Sequence, residues 1–295
     1  MLQMMKRRPL PGEGPLHVVV LAGQSNAGGK VPIPELADHL AKPEAAEHAQ
    51  YLRGPDGVWF GRLDVWGYYR TKEMERYGPL GIGLGERPDE VGPELSFAKV
   101  VGDAVNEQVL LVKYTRGSMS LGEKCLPPSS EGETGEDYNG LVEEVKSVLL
   151  DVSRAHPRFA GPDNVRVSLV WFQGWNDMYE GREERYEANL ANLIRDLRKD
   201  LGVADMRVVI GEFGPHGPVI ESPDKRIEKA ARKIRDAQRA VAAMPEFKDT
   251  VRFVPTAELV TPGLTKAMHH YHRDPATFLR IGQALGKAWV EVHGK

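Results

Sequence analysis

Four short stretches of this sequence carry the side chains and turns that acyl transfer needs. Gly23-Gln24-Ser25-Asn26 offers a hydroxyl straight after a glycine. Arg116-Gly117-Ser118 and Gly174-Trp175-Asn176-Asp177 offer glycines and an amide, and His269, His270 and His272 cluster near the other end of the chain. A hydroxyl becomes a nucleophile when an imidazole takes its proton, and the oxyanion that then forms is held by converging N–H donors. These residue types suffice for serine-dependent acyl transfer if folding brings them to one place. Ser25 has a second reading on local sequence alone: serine and asparagine are favoured helix N-caps, so Ser25 or Asn26 equally suits the cap of the next helix. The histidines invite a metal, but no cysteine or carboxylate stands with them at ligand spacing. The expectation is therefore no metal and no cofactor.

The elements that must position these residues follow from hydrophobic patterning. Leu16 to Ala22 is a continuous apolar run ended by Gly23, which suits a strand covered on both faces. Similar runs occupy Val109–Tyr114, Val165–Phe172, Met206–Gly211 and Thr250–Pro255. Between them lie helical patterns: one opening at Gly92-Pro93-Glu94, then Tyr138 to Arg154, Glu183 to Leu201, Lys225 to Ala243, and Pro275 to Val292 with Asp274 as its N-cap. Strands alternating with helices predict an α/β fold, a doubly wound parallel sheet of five strands in three α/β/α layers. Residues 1–15 read as an N-terminal tail and 16–295 as a single domain. Residues 51–92 show no sustained period around Trp59, Phe60, Trp66, Tyr68, Tyr69 and Tyr77, and are expected to form a loop-rich insertion. Gly81, Gly83 and Gly85 do not read as a nucleotide loop, because neither a strand before them nor a helix after them is expected. In such sheets ligands meet the carboxyl ends of the strands, where the three glycine-bearing tips fall.

Composition narrows the partners. The chain has 295 residues, 41% hydrophobic and 27% charged, and its 39 basic and 42 acidic residues leave a formal charge of −3. No overall basic field exists to gather nucleic acid or an anionic membrane, so neither is an expected partner. The basic helix around Lys225–Arg239 is relieved by Glu228 and Asp236 and reads as a solvated face. The one cysteine, Cys125, excludes an internal disulfide and reads as a buried small residue. No apolar stretch approaches the roughly 20 residues of a membrane span. Lys6, Arg7 and Arg8 are not followed by the apolar core of a signal peptide. Oligomeric state and compartment have no marker of this kind.

Several blocks, spaced from about residue 16 to 290, carry a resemblance. They are Gln24-Ser25-Asn26 after the first strand, Gly92-Pro93-Glu94, Gly117-Ser118, Pro127-Pro128-Ser129-Ser130, Gln173-Gly174, and His270-Tyr271 followed by Ile281-Gly282. In order and spacing the chain resembles the SGNH (GDSL-like) hydrolases, and within them the sialate O-acetylesterase-like proteins of the sixth carbohydrate esterase family. The resemblance implies a flavodoxin-like sheet, a metal-free esterase and an acetylated carbohydrate as substrate. It implies Ser25 as nucleophile and, through its own N–H, first oxyanion donor, with the Gly117 N–H as second and Asn176 or Gln173 as third. His270 is implied as general base, with His269 and His272 as rivals, while Gln24, Asn26 and Trp175 fall in the substrate pocket. Asp177 is expected to fix its loop by hydrogen bonds. The chain departs from the pattern where the family's acid precedes the histidine by three residues. That position holds Ala267 before His270, Lys266 before His269 and His269 before His272. Asp274, Glu258 and Glu212 are the substitutes, or a backbone carbonyl holds the imidazole in a dyad. The expected activity is removal of O-acetyl groups from a carbohydrate through an acyl-enzyme. The alternative is a catalytically impaired carbohydrate-binding protein on the same fold.

Overall fold

The computed structural model describes residues 3–4, 15–72, 74–152, 165–214, 217–218, 220, 222, 224–264 and 269–294. In chain order the elements are β1 (Gln3–Met4), β2 (Leu16–Gly23), α1 (Ser25–Gly28), β3 (Val31–Pro32), α2 (Ile33–Leu40), α3 (Ala46–Leu52), β4 (Phe60–Arg70), β5 (Glu75–Leu80), β6 (Glu90–Val91), α4 (Glu94–Ala104), β7 (Val109–Thr115), α5 (Glu136–Leu150), β8 (Val165–Phe172), α6 (Tyr186–Asp200), β9 (Arg207–Gly211), α7 (Lys225–Ala243), β10 (Val251–Val254) and α8 (Pro275–Val292).

The apolar run of β2 is buried along its whole length. Successive side chains of a strand point to opposite faces, and both faces here are covered. Val18, Val20 and Ala22 join a core with Leu141 and Val145 of α5, Leu190 and Ile194 of α6, and Ala231 and Ile234 of α7. Val19 and Leu21 join the opposite core with Leu95, Ala98 and Val101 of α4 and Phe278, Ile281 and Leu285 of α8. The result is the expected three-layer α/β arrangement.

The sheet is larger than the five strands expected. Its order is β1-β4-β7-β2-β8-β9-β10, with β5 paired to β4 off this path. Every neighbouring pair along the path is parallel, and β5 is antiparallel. The five expected strands lie side by side in the order second, first, third, fourth, fifth. The additions come from the stretch read as loop-rich. In β4 the consecutive residues Tyr68 and Tyr69 are both buried, one against each core. That burial on both faces erases the alternation that marks a one-sided strand. Gln3–Met4, expected in a tail, pairs with β4 as β1. A strand, β5, also precedes Gly81, although no helix opens on the glycines that follow. Helix α5 begins two residues before the expected Tyr138, while Arg154 lies outside the described residues. Helix α6 begins at Tyr186 because Arg182–Arg185 forms a separate 3-10 turn.

Two motif blocks touch where α8 crosses α4. A Cβ on Gly282 would stand 2.1 Å from the Pro93 carbonyl oxygen and 2.2 Å from Ser96 Oγ, so only glycine fits there. Ser96 Oγ donates to the Leu279 carbonyl at 2.7 Å in the same contact. This packing fixes α8, and with it the histidine segment just ahead of α8. The Pro127-Pro128-Ser129-Ser130 block is tied to α6, with Ser129 donating from N and Oγ to Asp196 at 2.8 and 2.6 Å.

Candidate active site

Strand order reverses at β2, since β4 and then β7 are laid down on one side of it and the chain next crosses to β8 on the other. Such a switch point leaves a crevice at the carboxyl edge. Gly23 is in register with both Thr115 of β7 and Phe172 of β8, so three tips end level. Gly23 has φ 151°, and a Cβ on it would stand 2.1 Å from the Phe172 carbonyl oxygen. The tips are also bonded together. Arg116 N–H donates to the Gly23 carbonyl at 3.1 Å. Gln24, expected to line the pocket, is buried instead, and its Oε1 accepts the Gly174 and Trp175 N–H groups at 3.1 and 2.9 Å.

Ser25 opens α1, whose N-cap is Gln24 with no side-chain cap bond. Neither Ser25 nor Asn26 therefore acts as the cap, and both are half-buried at the rim. Among the described residues neither the Ser25 N–H nor the Gly117 N–H meets an acceptor, and Gly117 is exposed with open space where a side chain would stand. Gln173 is differently placed. Its Nε2 donates to the Met119 carbonyl at 2.9 Å and to Asp177 at 2.7 Å, and its Oε1 accepts from the Tyr186 hydroxyl at 3.0 Å. Both amide hydrogens are committed inside the protein, which leaves none for an oxyanion. Asn176 is half-buried, and its side chain makes no hydrogen bond among the described residues. Of the two candidates for third donor, Asn176 is the one whose amide is uncommitted among the described residues. Trp175, beside it, is half-buried with its ring edge-on to Phe213 at 6.1 Å.

Asp177 is buried and accepts the Leu121 and Gly122 N–H groups at 2.9 and 2.7 Å, so it fixes the loop that follows Ser118 as well as its own. Burial pushes its carboxyl up to about 6, against 3.8 in the open, although these N–H donors pull the other way. Between those values the folded chain keeps a proton that the unfolded chain has lost. This group's contribution to stability therefore falls as pH rises from about 4 to about 6, by up to about 3 kcal/mol. Urea unfolding at pH 4.5 and pH 7 should show the wild-type advantage over Asp177→Asn wider at the lower pH. An equal gap at both values would refute the assignment.

The histidine segment His269–Arg273 is bent into an unusual shape. His270, Tyr271, His272 and Arg273 have φ of 59°, 50°, 55° and 59°, all left-handed, which costs about 1–2 kcal/mol per residue outside glycine. Tyr271 offsets this: it is fully buried, stacked on Phe172 at 6.4 Å and edge-on to Phe278 at 5.7 Å. Since Phe172 ends β8, that anchor sets His270 over the strand tips. His270 Nδ1 lies 3.3 Å from Asn26 Oδ1, across 244 positions of sequence. His272 is exposed, and the side chain of His269 lies outside the described part of the structure, as do Lys266 and Ala267.

The substitute acids have other engagements. Asp274 caps α8, its Oδ2 accepting the Thr277 N–H at 2.9 Å and the hydroxyls of Thr277 and Thr261 at 2.6 and 2.5 Å. These bonds hold its carboxyl below the ordinary value against the opposing effect of burial, the largest single influence. Glu212 is buried, accepts the Ala257 N–H at 3.0 Å and is raised by desolvation, while Glu258 is exposed. None of these bonds runs to His270.

One structural group was missed in the sequence. Lys113, inside the apolar run of β7, is fully buried and donates to the Gly28 carbonyl at 2.8 Å, the Leu84 carbonyl at 2.6 Å and Glu94 Oε2 at 3.0 Å. Glu94 Oε1 accepts the Gly92 N–H at 2.8 Å. The pair sits under α1, the helix that carries Ser25. A lysine in the middle of a buried strand was the available signal, and Glu94 read only as a favourable helix start.

Strand tips that end level at a switch point, with Ser25 and Asn26 on their rim and the His270 ring 3.3 Å from Asn26, belong to a three-layer α/β protein with a polar candidate site at its carboxyl edge. The family model "carbohydrate esterase, sialic acid-specific acetylesterase" matches residues 15–291, and the chain belongs to that family. It is accordingly a carboxylic ester hydrolase of the carbohydrate acetylesterase type, for which the family implies an acetylated carbohydrate substrate. Among curated proteins no sequence matches it significantly. Among solved structures it is similar to a protein of Arabidopsis thaliana, with TM-score 0.59 and 16% identity over 94% of this chain and 98% of that one. It is also similar to NanS, with TM-score 0.55 and 15% identity over 94% and 97% of the two chains. A carbohydrate acetylesterase from Xanthomonas citri aligns with TM-score 0.56 and 12% identity over 96% of this chain and 57% of its own. At these identities the likeness is one of fold.

Proposed function

We propose that this chain is a serine esterase that removes O-acetyl groups from a carbohydrate through an acyl-enzyme. The observation that carries the reading is the contact between residues 26 and 270, which sets the Ser25 turn and the His270 ring on the same rim beside uncommitted N–H groups. His270 takes the Ser25 hydroxyl proton as Oγ attacks the acetyl carbonyl. The Ser25 N–H, the Gly117 N–H and the Asn176 amide hold the oxyanion. The tetrahedral intermediate then collapses, His270 returns the proton to the departing sugar oxygen, and acetyl-Ser25 remains. Water next gives a proton to His270 and attacks the acyl carbon, which releases acetate and restores the hydroxyl.

The reading of a lapsed sugar-binding protein has no comparable support, because the bonds between the strand tips leave free the donors that catalysis uses. A fluorophosphonate probe separates the two. One covalent adduct on Ser25, located by peptide mass spectrometry, with loss of acetate release from O-acetylated sugars, is the expected result. Full acetate release after complete labelling elsewhere, or no labelling at all, refutes the proposal.

A further inference from the structure

A general base needs a partner that fixes its tautomer, and no carboxylate stands three residues ahead of His270 in the sequence. The bonds of Asp274 run to Thr261 and Thr277, and that of Glu212 runs to Ala257. Asn26 reaches the ring, its Oδ1 lying 3.3 Å from His270 Nδ1.

We propose that Asn26 is the positioning residue for His270, standing where a catalytic carboxylate would stand in a triad. The inference rests on the serine-esterase reading above. An amide oxygen only accepts, so the contact requires the hydrogen on Nδ1. The lone pair is then on Nε2, the nitrogen that would take the proton of Ser25. When that transfer makes the ring an imidazolium, the negative end of the amide dipole still faces Nδ1–H, with less stabilisation than a full charge gives.

Asn26 is suited to this by its place in the chain. It follows Ser25 within α1, a single turn closed by Gly28 N–H to the Gln24 carbonyl at 3.0 Å and Gly29 N–H to the Ser25 carbonyl at 2.9 Å. The same turn is held from below by Lys113 on the Gly28 carbonyl at 2.8 Å. Nucleophile and orienting group are thus two consecutive residues on one rigid turn, and the base comes to them from the far end of the sequence. Among the described residues, the Asn26 side chain makes no other hydrogen bond.

The test uses Asn26→Ala, Asn26→Asp and Ser25→Ala in the full chain, with acetate release from an O-acetylated sugar and from p-nitrophenyl acetate. Asn26→Ala should lower kcat about tenfold to a hundredfold, with KM within about twofold. Asn26→Asp restores an acceptor at the same place and should recover most of that loss. Nitrogen-15 NMR of the His270 ring should report the Nδ1–H tautomer in the wild type and in Asn26→Asp, and a mixture in Asn26→Ala. A merely structural role would not move the tautomer or be rescued by aspartate. Circular dichroism and the Tm show whether each variant is folded, and the Asn26→Asp rescue keeps the test decisive if alanine unfolds the turn. The proposal is overturned if Asn26→Ala keeps the wild-type kcat, or if both variants lose activity while the tautomer is unchanged. Full activity in Ser25→Ala would remove the esterase reading itself, whereas an inactive Ser25→Ala beside an unaffected Asn26→Ala removes only the role of Asn26.

Discussion

Ser25→Ala is expected to lower kcat for acetate release by on the order of 10⁴-fold or more while leaving the protein folded. The Ser25 hydroxyl caps no helix and the residue is half-buried at the rim, so its removal creates neither a large cavity nor an orphaned donor in the core. Unfolding in urea should therefore shift little. His270→Ala should give a loss of similar size, because hydroxyl and imidazole act as one unit in the proton transfer. The double variant should be no slower than the worse of the two singles. Single-turnover kinetics with p-nitrophenyl acetate check all three variants. Losses that multiply in the double variant would mean that the two residues act in separate steps, and a Ser25→Ala enzyme with wild-type turnover would place the nucleophile elsewhere.

Why so much of this site was legible in the sequence is plain from its construction. The strands that carry it are covered on both faces, so Leu16–Gly23 and Val165–Phe172 appear as unbroken apolar runs. Their ends are marked by glycines that cannot be replaced: Gly23 abuts the Phe172 carbonyl, and a Cβ on Gly174 would stand 2.7 Å from that of Phe213. What stayed hidden depends on contacts between distant segments. The His-Tyr pair offered a candidate base but not the reason for the tyrosine, which is to hold a left-handed run against the end of β8. Gln24, Gln173 and Asn176 look alike as amides, and only the fold shows that the first two face inward to bind other loops. Asn26 read as a cap or pocket residue because its partner lies 244 positions away. Strand β4 escaped because its two tyrosines serve opposite cores in consecutive positions.

Lys113→Met should be the most damaging single change away from the rim. Desolvation lowers the lysine's pKa, and the adjoining Glu94 carboxylate opposes that shift. The ammonium stays satisfied because three acceptors surround it: Gly28 and Leu84 carbonyls and Glu94. Methionine fills nearly the same volume, so packing alone predicts a small effect. Electrostatics predicts a large one: Glu94, fully buried, would lose the cation beside it, at a cost of about 3–5 kcal/mol. Pairing Lys113→Met with Glu94→Gln removes the stranded charge while the amide oxygen still accepts the Gly92 N–H, so the double variant should recover part of the loss. Turnover should recover less than stability does, because the Gly28 carbonyl at the end of the Ser25 turn still lacks its donor in both variants. Urea denaturation and acetate release on the two variants measure these separately. If Lys113→Met were as stable as the wild type, the buried pair would have no part in holding the turn that presents the hydroxyl.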